Sequence, residues 1–218
     1  MNLEKMKSVC QLRLYPDSVL RRKCLPVNDV DGAVRELING MAEIMYTYNG
    51  IGLAAPQVGV LQRIIIGDIG EGLVALANPE IVEKNGDDRL LEGCLSLPDI
   101  HVNVARGQSI FVRGISPDGR EVNQEFAGLM ARIIQHEIDH LNGILIIDYA
   151  SPTEKIVLNS KLKELRRRHK LNEENESYIQ HAKQAEALHE IELKVKLEEM
   201  AADEAGHARL LRRILKGL

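Results

Sequence analysis

A helix that must be both buried and reactive is the strongest constraint in this chain. Residues 135–143 read Gln-His-Glu-Ile-Asp-His-Leu-Asn-Gly, and the H-E-x-x-H core sets His136 and His140 four positions apart. On a helix the two imidazoles share one face, with Cβ atoms roughly 5–6 Å apart, close enough to grip one divalent cation. Ile133, Ile134, Ile138 and Leu141 flank them with apolar surface. A helix over 128–141 is therefore expected in the interior, where imidazole nitrogens need partners. The bland alternative, a charged helix face with two incidental histidines, leaves those nitrogens and the apolar flanks without a purpose. Glu137 falls beside such a cation rather than on it, where its carboxylate can take a proton from a water whose pKa the metal lowers toward about 7. The pattern predicts a metal-dependent hydrolase.

Catalytic sites of this kind use three protein ligands and keep one position open, so a third ligand must lie elsewhere. Cys10 and Cys24 stand in ordinary surroundings and read as small half-buried residues. Cys94 differs, because it sits in Leu-Glu-Gly-Cys-Leu-Ser-Leu-Pro at 91–98. There Gly93 lets the backbone approach another group closely and Pro98 limits regular pairing. A thiolate at that point is a soft ligand suited to zinc or ferrous iron. The stretch Asn-Gly-Ile-Gly-Leu-Ala-Ala-Pro-Gln-Val-Gly at 49–59 is too apolar, and too poor in Lys, Ser and Thr, to be a phosphate loop. It reads either as a tight strand entry or as backbone running beside a ligand, with the Gln57 amide as a donor nearby.

Together, Gly50-Ile-Gly-Leu-Ala-Ala-Pro-Gln57, Glu92-Gly-Cys-Leu-Ser96 and Gln135-His-Glu-Ile-Asp-His140 resemble, in that order, the three motifs of the peptide deformylase family. The resemblance extends in weaker form from about residue 12 to 165. It implies removal of the N-formyl group from newly synthesised chains that begin with formylmethionine, releasing formate. It further implies antiparallel β-sheets around the central H-E-I-D-H helix, with Cys94 on a strand facing it. By the same resemblance Cys94, His136 and His140 are the ligands of one divalent metal per chain. Ferrous iron is the ion expected in cells, and zinc, nickel or cobalt are substitutes. Glu137 is implied as general base and then acid, and the Gln57 amide and Leu95 backbone N–H as oxyanion donors. Gly50, Ile51, Gly52, Leu129 and Ile133, with the ring face of His136, are implied to bind the extended substrate and its methionine. Glu92 and Arg106 are implied as a supporting ion pair. Arg132, one turn ahead of His136, could reach the rim of the methionine pocket or make a surface ion pair. One departure concerns His101, near which some relatives carry an arginine that touches the peptide backbone; here His101 is expected as an exposed strand residue.

The rest of the chain supports a soluble α+β enzyme. Val34, Leu37, Ile38, Met41, Ile44 and Met45 recur at helical spacing within 29–48, while 62–69, 73–84 and 109–126 are β-rich runs broken by Gly, Asn-Gly and Pro-Asp-Gly punctuation. No apolar run is long enough for a membrane span, the first residues lack the apolar core of a signal peptide, and three unpatterned cysteines argue against a disulfide scaffold. A cytoplasmic enzyme with no membrane partner is expected.

Past residue 152 the character changes, giving an expected catalytic domain at 1–152 and a charged helical extension at 153–218. Seven basic residues face one acid between 155 and 170; ten acids face three lysines between 171 and 207; four basic residues close the chain. Without glycine before Gly206, this stretch reads as one or two long helices. Resemblance to relatives with a basic C-terminal helix implies docking on the ribosome through phosphate charge at Lys161, Lys163, Arg166, Arg167, Arg168 and Lys170. A solvated amphipathic helix is the alternative. Residues 172–218 exceed the family pattern and carry an interrupted apolar stripe that could serve self-association. The competing activity is an H-E-x-x-H zinc endopeptidase. Cys94 opposes it, because such proteases usually take their third ligand downstream.

Overall fold

The computed structural model of the chain describes residues 11–187. Two compact units divide the chain, Met1–Lys163 and Glu164–Leu218. In chain order the main elements are α1 (Gly32–Thr47), β1 (Gly52–Ala54), β2 (Ile64–Gly67), β3 (Val74–Asn85), β4 (Asp88–Cys94), β5 (Leu97–Arg106), β6 (Ser109–Ile115), β7 (Glu121–Ala127), α2 (Gly128–Leu141) and α3 (Pro152–Ala187).

β2 shows how the core forms. Successive side chains of a strand point to opposite faces, and here both faces are covered, so Ile64, Ile65 and Ile66 are all buried. Ile64 and Ile66 pack with Val34, Ile38, Met41 and Met45, the apolar stripe of α1. Ile65 packs on the other side with Leu76, Ile110 and Val112 and with Met130, Ile134, Ile138 and Leu141 of α2. The antiparallel sheet runs β1-β2-β3-β6-β7, sandwiched between the two helices. Each fully buried aliphatic side chain in it contributes about 1.5–3 kcal/mol.

Local chemistry sets the element ends. The Asp31 side chain accepts from the Val34 N–H at 3.0 Å and caps α1. α2 stops at Asn142, whose side chain donates to the Ile138 carbonyl, and Gly143 follows at φ +74°. At the head of α3, Ser151 and Glu154 satisfy each other's backbone N–H groups and Pro152 occupies the first turn.

β4 and β5 form a separate two-stranded antiparallel ribbon. Its register runs from Asp88 opposite Arg106 to Gly93 opposite His101, then slips at a bulge so that Cys94 faces Leu97. A bulge re-aims a side chain, and this one acts on Cys94. The ribbon does not read as two strands in the sequence. Adjacent Leu90 and Leu91 are both exposed, so the alternation that marks a strand fails in β4. The expected helix over 128–141 has those ends, and the expected run over 109–126 divides at Pro117-Asp-Gly119 into β6 and β7.

Candidate metal centre

α2 presents three working faces. Met130, Ile134 and Ile138 enter the core; Arg132 and His136 meet Glu92 of the ribbon; Ile133 and Glu137 crowd β1 so closely that a Cβ on Gly52 would collide with both. Glycine is required at 52 because the backbone runs directly over the Glu137 carboxylate.

Cys94 Sγ, His136 and His140 form a cluster whose donor atoms all lie within 4.8 Å of one another. Sγ is 3.2 Å from His140 Nε2, close to the separation of two ligands on one ion with bonds of about 2.0–2.3 Å. His136 engages Glu92 Oε2 through Nδ1 at 3.0 Å, which fixes its ring and turns Nε2 toward the cluster. One thiolate and two imidazoles suit zinc or ferrous iron. Burial drives His140 well below the ordinary histidine range and keeps it neutral, as a ligand must be. His136 goes the other way: burial lowers it, but the hydrogen bonds it makes to Cys94 and Glu92 outweigh that and raise it well above the ordinary histidine range, so the site draws positive charge. The same pull favours any cation at Nε2. The donor set therefore fits a divalent metal.

Around the cluster, polar groups are held in fixed orientations. Gln57, buried, accepts from the Ala54 N–H at 2.8 Å through Oε1, so its Nε2 points to Ser96 Oγ at 3.1 Å and Cys94 Sγ at 3.7 Å. Glu137 is buried and its Oε2 has no hydrogen-bond partner among the described residues. Burial pushes its carboxyl up to about 7. Glu92 is opposite in character: burial raises it, but hydrogen bonds from His136 and Arg106 win and hold it at about 2.

The expected Glu92–Arg106 pair is present as a two-pronged bridge with both bonds at 3.0 Å. Arg106 also reaches Asp139 Oδ2 at 2.5 Å, and its guanidinium lies 5.1 Å from the centre of the Tyr149 ring. Arg132 departs from expectation. It lies buried, with Nη1 2.7 Å from Glu92 Oε1, and its only partner near the surface is the half-exposed Asp88 carboxylate, 3.5 Å from Nη2. Its spacing of four from His136 carried that signal, because both residues must meet whatever faces this side of α2. Asp139, inside the same motif, and Ser96 are further site neighbours the sequence reading passed over.

Of the substrate-binding candidates, Gly50 abuts Leu95, Gly52 lies over Glu137 and Ile133, and Ile133 is buried. Ile51 and Leu129 are about half exposed, Leu129 on the first turn of α2. β1 ends the sheet, so one of its edges has no strand partner. His101 stands exposed opposite Gly93, outside the donor cluster. Cys24 is a buried residue of the sheet–α2 core; Cys10 lies outside the described residues.

A metal-fitting set of one ribbon cysteine and two histidines on a buried helix, with a glutamate at its side, is the constellation of a metallohydrolase. Comparison narrows the class. The model of the family described as polypeptide deformylase matches residues 9–156, and the chain belongs to that family. It is 43% identical over 161 residues to a peptide deformylase of Thermodesulfovibrio yellowstonii, covering 72% of this chain and 98% of that protein. The Thermotoga maritima peptide deformylase is 44% identical over 158 residues, covering 72% and 96%. A crystal structure of the Thermotoga maritima enzyme aligns with TM-score 0.64 at 46% identity, over 66% of this chain and 99% of that one. A Plasmodium falciparum peptide deformylase aligns with TM-score 0.71 at 36% identity, over 74% and 98%. The chain is thus a metal-dependent hydrolase that removes the formyl group from the N-terminal methionine of new polypeptides, and the endopeptidase alternative is not favoured. Among the described residues no helix is long and apolar enough to cross a membrane.

Proposed function

We propose that deformylation is carried by Glu137 as base and acid, with Cys94, His136 and His140 holding the metal and Gln57 and the Leu95 N–H receiving the oxyanion. The observation that carries this reading is the convergence of one Sγ and two imidazoles beside a buried carboxylate oxygen that has no partner among the described residues. A divalent ion at those donors supplies Lewis-acid polarisation of the formyl carbonyl and a lowered pKa for the attacking water. Ferrous iron in cells, with zinc, nickel or cobalt as substitutes, suits one thiolate and two imidazoles.

The chain's own groups do the rest. Glu137 takes a proton from the attacking water and returns it to the departing methionine nitrogen, so that the C–N bond breaks and the amine leaves neutral; the remaining acid proton of the formic acid passes to the amine or to solvent, leaving formate. The Gln57 amide cannot rotate away without losing its bond to Ala54, so its N–H is pre-aimed at the carbonyl oxygen as charge develops. Such donors are worth about 2.7–4 kcal/mol each. An extended peptide adding along the open edge of β1 at Gly50, Ile51 and Gly52 gains main-chain hydrogen bonds independent of its sequence. Its methionine side chain is read against Ile51, Leu129, Ile133 and the ring of His136. Glu92 and Arg106 support the ligand ring from behind.

Residues 1–152 form the catalytic domain in this reading and 153–218 an appended extension. The helical backbone of α3 and the exposure of Lys161, Lys163, Arg166, Arg167, Arg168 and Lys170 support contact with ribosomal phosphates where substrates emerge. A cytoplasmic location follows from that substrate. Self-association through 172–218 concerns residues that lie, past 187, outside the described ones. The test is formate release from a formyl-Met-Ala-Ser peptide by anaerobically purified protein, with metal analysis and unformylated casein in parallel. Formate, about one metal per chain and intact casein are expected; casein cleavage without formate would overturn the reading.

A further inference from the structure

We infer that Arg132 is a positioning residue of the metal centre: it fixes Glu92, and through it the His136 ring, while strapping the ribbon that carries Cys94 to the helix that carries both histidines. The inference rests on the ligand reading above.

Arg132 is only 7% exposed, and all its polar contacts run to the ribbon. Nη1 donates to Glu92 Oε1 at 2.7 Å and to the Val104 carbonyl at 3.0 Å; Nη2 donates to the Asp88 carbonyl at 2.8 Å and lies 3.5 Å from Asp88 Oδ2. The Glu92 carboxylate is fully subscribed. Oε1 accepts from Arg106 Nε and Arg132, and Oε2 accepts from Arg106 Nη2 and His136 Nδ1. Arg106 sets the carboxylate plane, and Arg132 supplies the shortest of the four bonds, on the oxygen opposite the histidine. Without it, Oε1 keeps only its Arg106 bond, and the carboxylate, held from one side, can shift and carry the His136 ring with it.

Position in the fold gives Arg132 its second task. A two-stranded ribbon is marginally stable by itself, and among the described residues this one shares no strand pairing with the five-stranded sheet. Its distance from α2 therefore depends on side chains. Arg132 bonds the backbone of both strands, at Asp88 in β4 and Val104 in β5, from one turn below His136. That attachment acts beside the Arg106–Asp139 bond and the Gln135–Gly107 pair in setting the separation of Cys94 Sγ from the two histidines. The three acceptors are met from two separate nitrogens of one planar fork, whereas a lysine ammonium gathers its three donors on a single nitrogen.

The experiment loads full-length wild type, Arg132→Lys and Arg132→Met with cobalt. It follows the thiolate-to-cobalt absorption per bound metal and the rate of cobalt transfer to a chelator. Supporting contacts behind metal ligands are worth about 10–100-fold in metal affinity. Arg132→Met is expected to release cobalt at least about tenfold faster, with a shifted or weaker band, and Arg132→Lys to fall between it and wild type. A purely structural role would lower the melting temperature yet leave band and release rate of the folded, loaded protein at wild-type values, and that result overturns the inference. Should Arg132→Met fail to fold, Arg132→Lys decides by the same two readouts. Wild-type protein that takes up no cobalt and shows no band overturns the ligand reading and this inference with it; a normal wild-type band with unaffected variants overturns this inference alone.

Discussion

The five-stranded sheet and the two-stranded ribbon both bury apolar side chains, but only the ribbon adds a charged joint with α2. The sheet is held by apolar side chains on both faces, with Ile64, Ile65 and Ile66 sharing their burial between α1 and α2. The ribbon also buries Leu97, Ile100, Val102 and Val104, but its polar joint with α2 is charged: Glu92 between Arg106 and Arg132, with His136 as a further donor and Asp139 behind Arg106. Apolar packing is non-directional and tolerates small shifts. Charge-assisted hydrogen bonds are directional and roughly twice as strong as neutral ones. A scaffold can be built from the first, but three metal ligands on two elements need the second. The comparison teaches that stability and ligand geometry are separable here, and substitutions can pull them apart.

The sharpest break should come at Glu137. Glu137→Gln keeps volume and leaves the donors untouched, so metal content should remain and formate release should fall by about 10²–10⁴-fold. Retained turnover at full metal occupancy would remove Glu137 from its assigned role. Arg106→Ala attacks the charged joint: it leaves Glu92 and Asp139 short of a buried cation and should cost about 3–5 kcal/mol in denaturant unfolding, with metal lost alongside. A stable variant with full metal would show that the ribbon is not held by charge.

Ile134→Ala tests the other side, a buried core position on the same helix. It should cost about 2–5 kcal/mol of stability, while kcat per folded, metal-loaded molecule stays near wild type; a large kcat loss would mean that core and site are not separable. The smallest effect belongs to a half-exposed pair just beyond the end of α2. Arg21 bridges Asp148 with bonds of 2.5 and 3.0 Å, and both side chains are about 40% exposed. Burial raises Asp148, but the Arg21 hydrogen bond and the Leu145 N–H outweigh it and hold the carboxyl below its usual range. A group whose folded pKa is depressed stabilises above its unfolded value, about 3.9, and loses that contribution as pH falls through the folded one. Asp148→Asn should therefore lose about 1 kcal/mol or less at neutral pH and show a flatter acid limb of stability. An identical acid limb would mean that the pair contributes nothing.

Legibility followed the same division. α2 was readable to its ends because its apolar spacing, its histidines and the following Asn-Gly all act within one helix. β2 and β3 were readable as runs of β-branched and small apolar residues. The ribbon was not legible in its pattern, although the family resemblance put Cys94 on a strand and His101 was expected on one: Leu90 and Leu91 are exposed side by side, Glu92 is a buried acid, and Gly93 and Pro98 argue against strands. Arg132 was misjudged for a related reason. A charged residue on a helix is expected at the surface, and only partners from two distant strands make its burial tolerable.

The sequence by itself determined the chemistry: which side chains can ligate, which carboxylate can move a proton, and which helix must carry them, because residue type and helical period are local properties. Tertiary structure alone decided where Cys94 meets His140, which oxygen of Glu92 each guanidinium takes, and that Arg132 faces inward. Those are contacts across 14 to 46 positions of chain, and no local period encodes a distance between elements that is fixed only when they pack.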